Sequence, residues 1–90
     1  MRFKFDRAKS ARLRNTRGAG FEEAQAIWTM PYYLDQRTEA PEQWRAIGWI
    51  GARLYSVIFE ERKDTIGEYV HLVTLWPATK EEETLYEQHA

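Results

Sequence analysis

Residues 44–59 read Trp44-Arg45-Ala46-Ile47-Gly48-Trp49-Ile50-Gly51-Ala52-Arg53-Leu54-Tyr55-Ser56-Val57-Ile58-Phe59. Leu54 to Phe59 is dense in β-branched and aromatic residues, which suit a pleated, part-buried backbone. Trp44 to Ile50 has the same character. Gly51-Ala52-Arg53 between them has the length of a hairpin connection. Two antiparallel strands are expected, one over 44–50 and one over 54–59. Tyr69 to Trp76 predicts a third strand, and the charged segment Glu60 to Gly67 reads as the loop that leads into it.

Upstream, Phe3 and Phe5 alternate with Arg2 and Lys4, the period of a short strand. Asp6 can cap a helix, since its carboxylate accepts an orphan N–H at the helix start. Arg7 to Asn15 then forms a thin helix with a basic face. Gly18 and Gly20 punctuate its end. Phe21, Ala24, Ile27 and Trp28 recur at helical spacing, with Glu22 and Glu23 in the first turn, where the helix dipole favours acids. This second helix ends at Met30-Pro31, because the residue before a proline disfavours helix. Tyr32 to Leu34 has the look of a short strand. Asp35 to Gln43 is polar, contains Pro41 and shows no apolar period, so it reads as a mobile loop. Downstream, Thr79-Lys80-Glu81-Glu82 is a capping box. It opens a last helix from Lys80 to about His89, with Leu85 and Tyr86 towards the sheet. The expected fold is α+β: a single domain over residues 1–90, with a small antiparallel β-sheet of three to four strands. Two N-terminal helices and one C-terminal helix would cover one face.

Composition narrows the function. The 90 residues contain no Cys, which excludes a disulfide scaffold and a thiolate metal site. Apolar runs are too short for a membrane span, and the opening residues are too polar for a signal peptide. A cytoplasmic location without membrane contact is the expectation. The net charge of −1 hides a gradient. Residues 1–20 hold seven Lys or Arg against one Asp, a balance of +6. Residues 21–59 balance at −2 and residues 60–90 at −5. A basic arm of this kind binds a polyanion, an acidic partner or the chain's own acidic end.

His71 and His89 have no ligand-like spacing, and Glu81 to Glu83 fan outwards on a helix, so no metal site and no cofactor are expected. No phosphate-cradling glycine loop and no Ser/His/Asp pattern is present. A basic and aromatic set remains: Lys9, Arg45, Arg62, His71 and Tyr86. These residue types suit metal-independent RNA cleavage. That reaction needs a base for the 2′-hydroxyl, cations for the pentavalent phosphate and an acid for the 5′-oxygen. The plainer reading stands beside it. His71 alternates with Val70 and Leu72, sharing a face with Tyr69, Val73 and Leu75, and can be a satisfied, partly buried histidine. Arg45 and Arg62 can be ordinary sheet-edge charges.

Read as a whole, the chain resembles the BrnT family of bacterial toxins. Phe3-Lys4-Phe5-Asp6-Arg7-Ala8-Lys9 is similar to the family's aromatic-x-aromatic-Asp-x-x-Lys opening. Gly18 and Phe21-Glu22-Glu23-Ala24 fall where the family has Gly and Phe-Glu-Glu-Ala. Arg45-Ala46-Ile47-Gly48 resembles its Arg-x-x-Gly strand, and Leu54 to Phe59 with Arg62 its central strand and following Arg. Ala78-Thr79, Glu82 and Tyr86 match its closing pattern. The resemblance implies a RelE-like fold and RNA cleavage that stalls translation. It also implies a tight complex with a BrnA-like ribbon-helix-helix antitoxin, through which operator DNA would be bound. On this resemblance Lys9 and Arg62 bind phosphate, with Arg17 and Arg45 in support. His71 is general base or acid, and Tyr86 orients RNA or donates a proton. The chain also departs from the family. Leu13 stands for its Asn, Arg17 for its first-helix His, and His71 and Trp76 for two strand arginines. Trp76 can stack on an RNA base or belong to a core or interface. Two other functions stay open: a catalytically impaired binding partner of the antitoxin, and a small RNA-binding domain using the basic first helix.

Overall fold

The computed structural model describes residues 1–89. In chain order it has β1 (Phe3–Lys4), α1 (Arg7–Arg17), α2 (Phe21–Ala24) and a 3₁₀ segment (Gln25–Thr29). Then follow β2 (Tyr33–Glu39), β3 (Glu42–Ile50), β4 (Arg53–Lys63), β5 (Glu68–Pro77) and α3 (Lys80–His89). The fold is α+β. Its sheet has five strands in the order β1-β5-β4-β3-β2, so the expected three to four strands are too few. The sheet is mixed rather than antiparallel, because β1 pairs parallel to β5.

The segment expected to be a loop, Asp35 to Gln43, is instead most of a hairpin. β2 pairs antiparallel with β3, and the chain turns at Ala40-Pro41 through a cis peptide bond. The physical reason is position. β2 is an edge strand whose residues after Tyr33 are mostly exposed, so no apolar alternation marks it. Likewise β4 runs on to Lys63 and pairs with Glu68, which shortens the expected loop over residues 60–67 to a tight turn. Asp64 Oδ1 accepts from the N–H groups of Ile66 and Gly67 and closes that turn.

Leu54 to Glu60 are all buried, which a strand covered on one face cannot achieve. Helices lie on both faces, which corrects the one-sided expectation. On the first face α1, α2 and the 3₁₀ segment enclose the main core: Leu13, Phe21, Ala24 and Ile27 meet Ala46, Val57, Phe59, Leu72 and Leu75. Trp28 links Phe3, Tyr32 and Phe59 at ring-centroid distances of 5.2, 6.0 and 5.2 Å. On the second face α3 packs across β2 and β3. Its aromatic contacts there are Tyr86 on Trp49 and His89 on Tyr33. Ile47 and Ile58 are fully buried on this face.

Local capping shapes the N-terminal corner. Asp6 accepts from Lys9 N and caps α1 as expected, and Gly18 ends α1 at φ +85°. The second helix is not one α-helix over 21–30. A single α-turn tightens into the 3₁₀ segment, which packs Ile27 and Trp28 inward. Buried Ser10 sits at its start, accepting from Phe21 N and donating to Glu22. Gly20 is required there: a Cβ would stand 2.7 Å from Ser10 Oγ and 2.9 Å from the Ser10 carbonyl oxygen.

Candidate functional site

The second face of the sheet carries the charged groups. β4 and β5 are in register so that Glu60 faces His71 and Arg62 faces Tyr69, each pair sharing a face. His71 is expected to share its face with Val73 and Leu75. The structure changes this: a register skip leaves Val73 as an extra residue in β5. Leu75 thereby returns to the main core beside Leu72, while Thr74 and Trp76 stand on the His71 face, opposite Ile58 and Ser56.

Around His71 the structure gathers Lys9 from α1 and Glu60 and Arg62 from β4. Glu60 is only 9 % exposed and accepts from Arg62 Nε at 2.9 Å and from Gln43 Nε2 at 2.8 Å. Gln43 first, then burial opposing it, then Arg62 set its carboxyl below the usual range. Burial is the main cause that pushes the His71 imidazole below its ordinary value. Arg62 and Lys9 push the same way, and Glu60 opposes them. His71 is therefore mostly neutral at pH 7, the state of a general base rather than of a phosphate-binding cation. Lys9 donates from Nζ to the Val73 carbonyl at 2.5 Å, where the edge of β5 has run past β1. Arg17 does the same one turn-pair further along α1, donating to the Leu75 carbonyl at 2.6 Å and reaching Thr74 Oγ1 at 3.4 Å. These two cations satisfy strand-edge carbonyls and hold no carboxylate among the described residues.

A second cluster lies under α3. Arg45 pairs with Asp35, its cross-strand partner in β2, and with Glu82 at 3.2 Å. Glu82 is 5 % exposed. Its Oε1 accepts from Thr79 N and from the Trp76 indole N–H, both at 2.9 Å. Burial alone raises its carboxyl, but the Thr79, Trp76 and Ser56 groups with the Arg45 charge outweigh burial and leave it below the usual range. Ser56 Oγ lies beside it, fully buried and outside normal hydrogen-bond geometry. Arg37 reaches in from β2 and sets its guanidinium 5.4 Å from the Trp76 ring centroid.

Of the residues expected to act, Lys9, Arg62 and His71 come together. Arg17 and Trp76 stand further along β5. Arg45 is committed to two carboxylates. Tyr86 is apart from His71, against Trp49 and 3.5 Å from the Pro31 carbonyl. The residues missed are Glu60, Gln43, Arg37, Asp35 and the structural use of Glu82. Glu60 had a signal, since Glu60 and Arg62 share a face at strand spacing. Arg37 had none, lying in the segment read as a loop. Among the described residues no group of three or more His, Asp or Glu is placed to hold a metal ion. No helix among the described residues is long and apolar enough to cross a membrane. The basic arm is docked: Arg2 and Lys4 clamp Asp64, and Arg14 bridges Glu22 and Glu23. Arg7 and Arg12 remain exposed.

Neither a protein-family model nor a curated protein matches the chain.

Proposed function

We propose that the protein is a BrnT-like toxin, a metal-independent endoribonuclease held in check by a ribbon-helix-helix antitoxin. The observation that carries this reading is the cluster of Lys9, Arg62, Glu60 and neutral His71, assembled from α1, β4 and β5 near the β5 edge of the sheet. His71 takes the proton of the 2′-hydroxyl, whose oxygen attacks phosphorus as the P–O5′ bond breaks, and the leaving 5′-oxygen takes its proton from solvent water. Lys9 and Arg62 hold the phosphate as its charge grows, with Arg62 exchanging Glu60 for phosphate oxygens, a bidentate match for its guanidinium. Arg17 extends the positive edge. The family resemblance supplies the antitoxin and the inhibition of translation. The test is RNA incubated with purified protein in EDTA, comparing wild type with His71→Ala and Arg62→Ala. Cleavage by wild type alone is expected. Equal, background-level cleavage by all three overturns the enzyme.

A second reading has its own support. Glu60 neutralises Arg62, and Asp35 and Glu82 neutralise Arg45, so the face carries less free positive charge than its arginine count suggests. That favours a family-like fold that binds the antitoxin without cleaving RNA. Induced expression without antitoxin separates the two: growth arrest that His71→Ala abolishes supports the nuclease, and unimpaired growth supports the binding partner.

A further inference from the structure

We propose that Arg37 and Trp76 form a base-stacking subsite for single-stranded RNA, next to the phosphate-handling cluster. The inference rests on the ribonuclease reading and adds a specificity element to it.

The Trp76 ring is set in advance. Its N–H is tied to Glu82 at 2.9 Å, and Glu82 is tied in turn to Thr79 and Arg45. The indole plane is thus fixed on the sheet without a core packed over both its faces, since Trp76 is only partly buried. Arg37 is the reverse. It sits where the β2–β3 register skips between Gln36 and Thr38, so it has no cross-strand partner. It is exposed, and no carboxylate pairs with it among the described residues. Among the described residues its guanidinium lies over the face of Trp76. A flat cation therefore occupies the place over the indole that a nucleobase would take.

The exchange is favourable. A base on an aromatic ring is worth about five- to 150-fold in affinity, whereas an exposed guanidinium on a ring is worth about two- to five-fold. Arg37, freed from the indole, remains beside the base to cover it or to meet its phosphate. Arg17 stands on the same side, two residues back at Thr74, and supplies a further cation to the backbone. A strand rise of about 3.3 Å per residue puts Trp76 roughly 15 Å from His71. The stacked base therefore belongs to a nucleotide beyond the one whose phosphate meets His71 and Lys9, and the substrate is an extended single strand, not a mononucleotide.

The test uses the full chain and short single-stranded RNA carrying 2′-O-methyl groups, which cannot be cleaved. One abasic nucleotide is moved through the strand position by position, and binding is read by fluorescence anisotropy. One abasic position is expected to weaken binding about five- to 150-fold. In Trp76→Ala that position-dependent loss disappears, because the stack is already gone. Trp76→Phe retains more affinity than Trp76→Ala. Arg37→Ala removes both the cation that must be lifted off the ring and the cation that then covers the base, so it changes binding by less than about five-fold. If wild type binds RNA with no abasic penalty, or the penalty persists in Trp76→Ala, the stacking subsite is overturned and the ribonuclease reading stands. If wild type binds no RNA, both are overturned.

Discussion

Replacing Glu82 with alanine removes the one fully enclosed side chain that α3 sends to the sheet. α3 has no buried apolar residue among those described; Leu85 and Tyr86 are half-buried. Its attachment depends on the Glu82 carboxylate and its bonds to Thr79, Trp76 and Arg45. Loss of the capping box costs about 1 kcal/mol. A Trp76 N–H left without a partner costs about 1–3 kcal/mol. Arg45 keeps Asp35, so the larger cost of orphaning a buried charge is avoided. The net expectation is a loss of roughly 2–4 kcal/mol, or about 10–25 °C in Tm for a chain of this size. Urea and thermal unfolding followed by circular dichroism measure it. Glu81→Ala, exposed one residue earlier, should stay within about 0.5 kcal/mol of wild type. The effect also has a pH signature. The folded carboxyl lies below its unfolded value, so its contribution is present above the carboxylate range and is lost as pH falls through the folded value. The gap between wild type and Glu82→Ala should narrow on acidification. A Glu82→Ala protein within about 1 kcal/mol of wild type at neutral pH would refute the idea of a carboxylate latch.

The rate of RNA cleavage should rise with pH along a limb centred below the ordinary imidazole value, because burial, Arg62 and Lys9 favour neutral His71 over the opposing Glu60. Lys4, its partner across β1, is turned to Asp64 and does not join them. Glu60→Gln should lower that limb further, since it removes the one carboxylate that favours the imidazolium; a limb that moves up, or stays put, contradicts the assignment. Gly20→Ala should cost about 1–3 kcal/mol, because the added Cβ meets the rigid Ser10 backbone oxygen, and chemical denaturation measures it. Asp64→Asn should release Arg2 and Lys4 and loosen β1, seen as faster hydrogen exchange at Val70 N–H, which bonds the Arg2 carbonyl. Unchanged exchange there would mean that the Arg2 bonds to the Gly67 and Glu68 carbonyls and the Phe3 packing hold β1 without Asp64.

Local chemistry made much of this chain legible from its residues. Asp6, Gly18 and the Thr79–Glu82 box mark helix ends through bonds that span only a few residues. The three central strands show because their β-branched and aromatic side chains are buried. Lys9, Arg62 and His71 were picked out by residue type, together with Arg45 and Tyr86, and the structure brings the first three together. What stayed hidden depends on distant neighbours. The edge strand β2 carries polar residues because water covers them, so it reads as a loop. The bulge at Val73 exchanges the faces of every later residue of β5, and no local rule places a bulge. Burial on both sides of β4 depends on where α3 lands. The ion-pair choices of Arg45, Arg62 and Arg37 depend on which strands lie side by side. Sequence alone thus determined the helix ends, the central strands and the residue types available for chemistry, since these follow from short-range bonds and apolar content. Tertiary structure decided which face each group occupies and which charge each arginine meets, because electrostatic partners are set by separation in space and not along the chain.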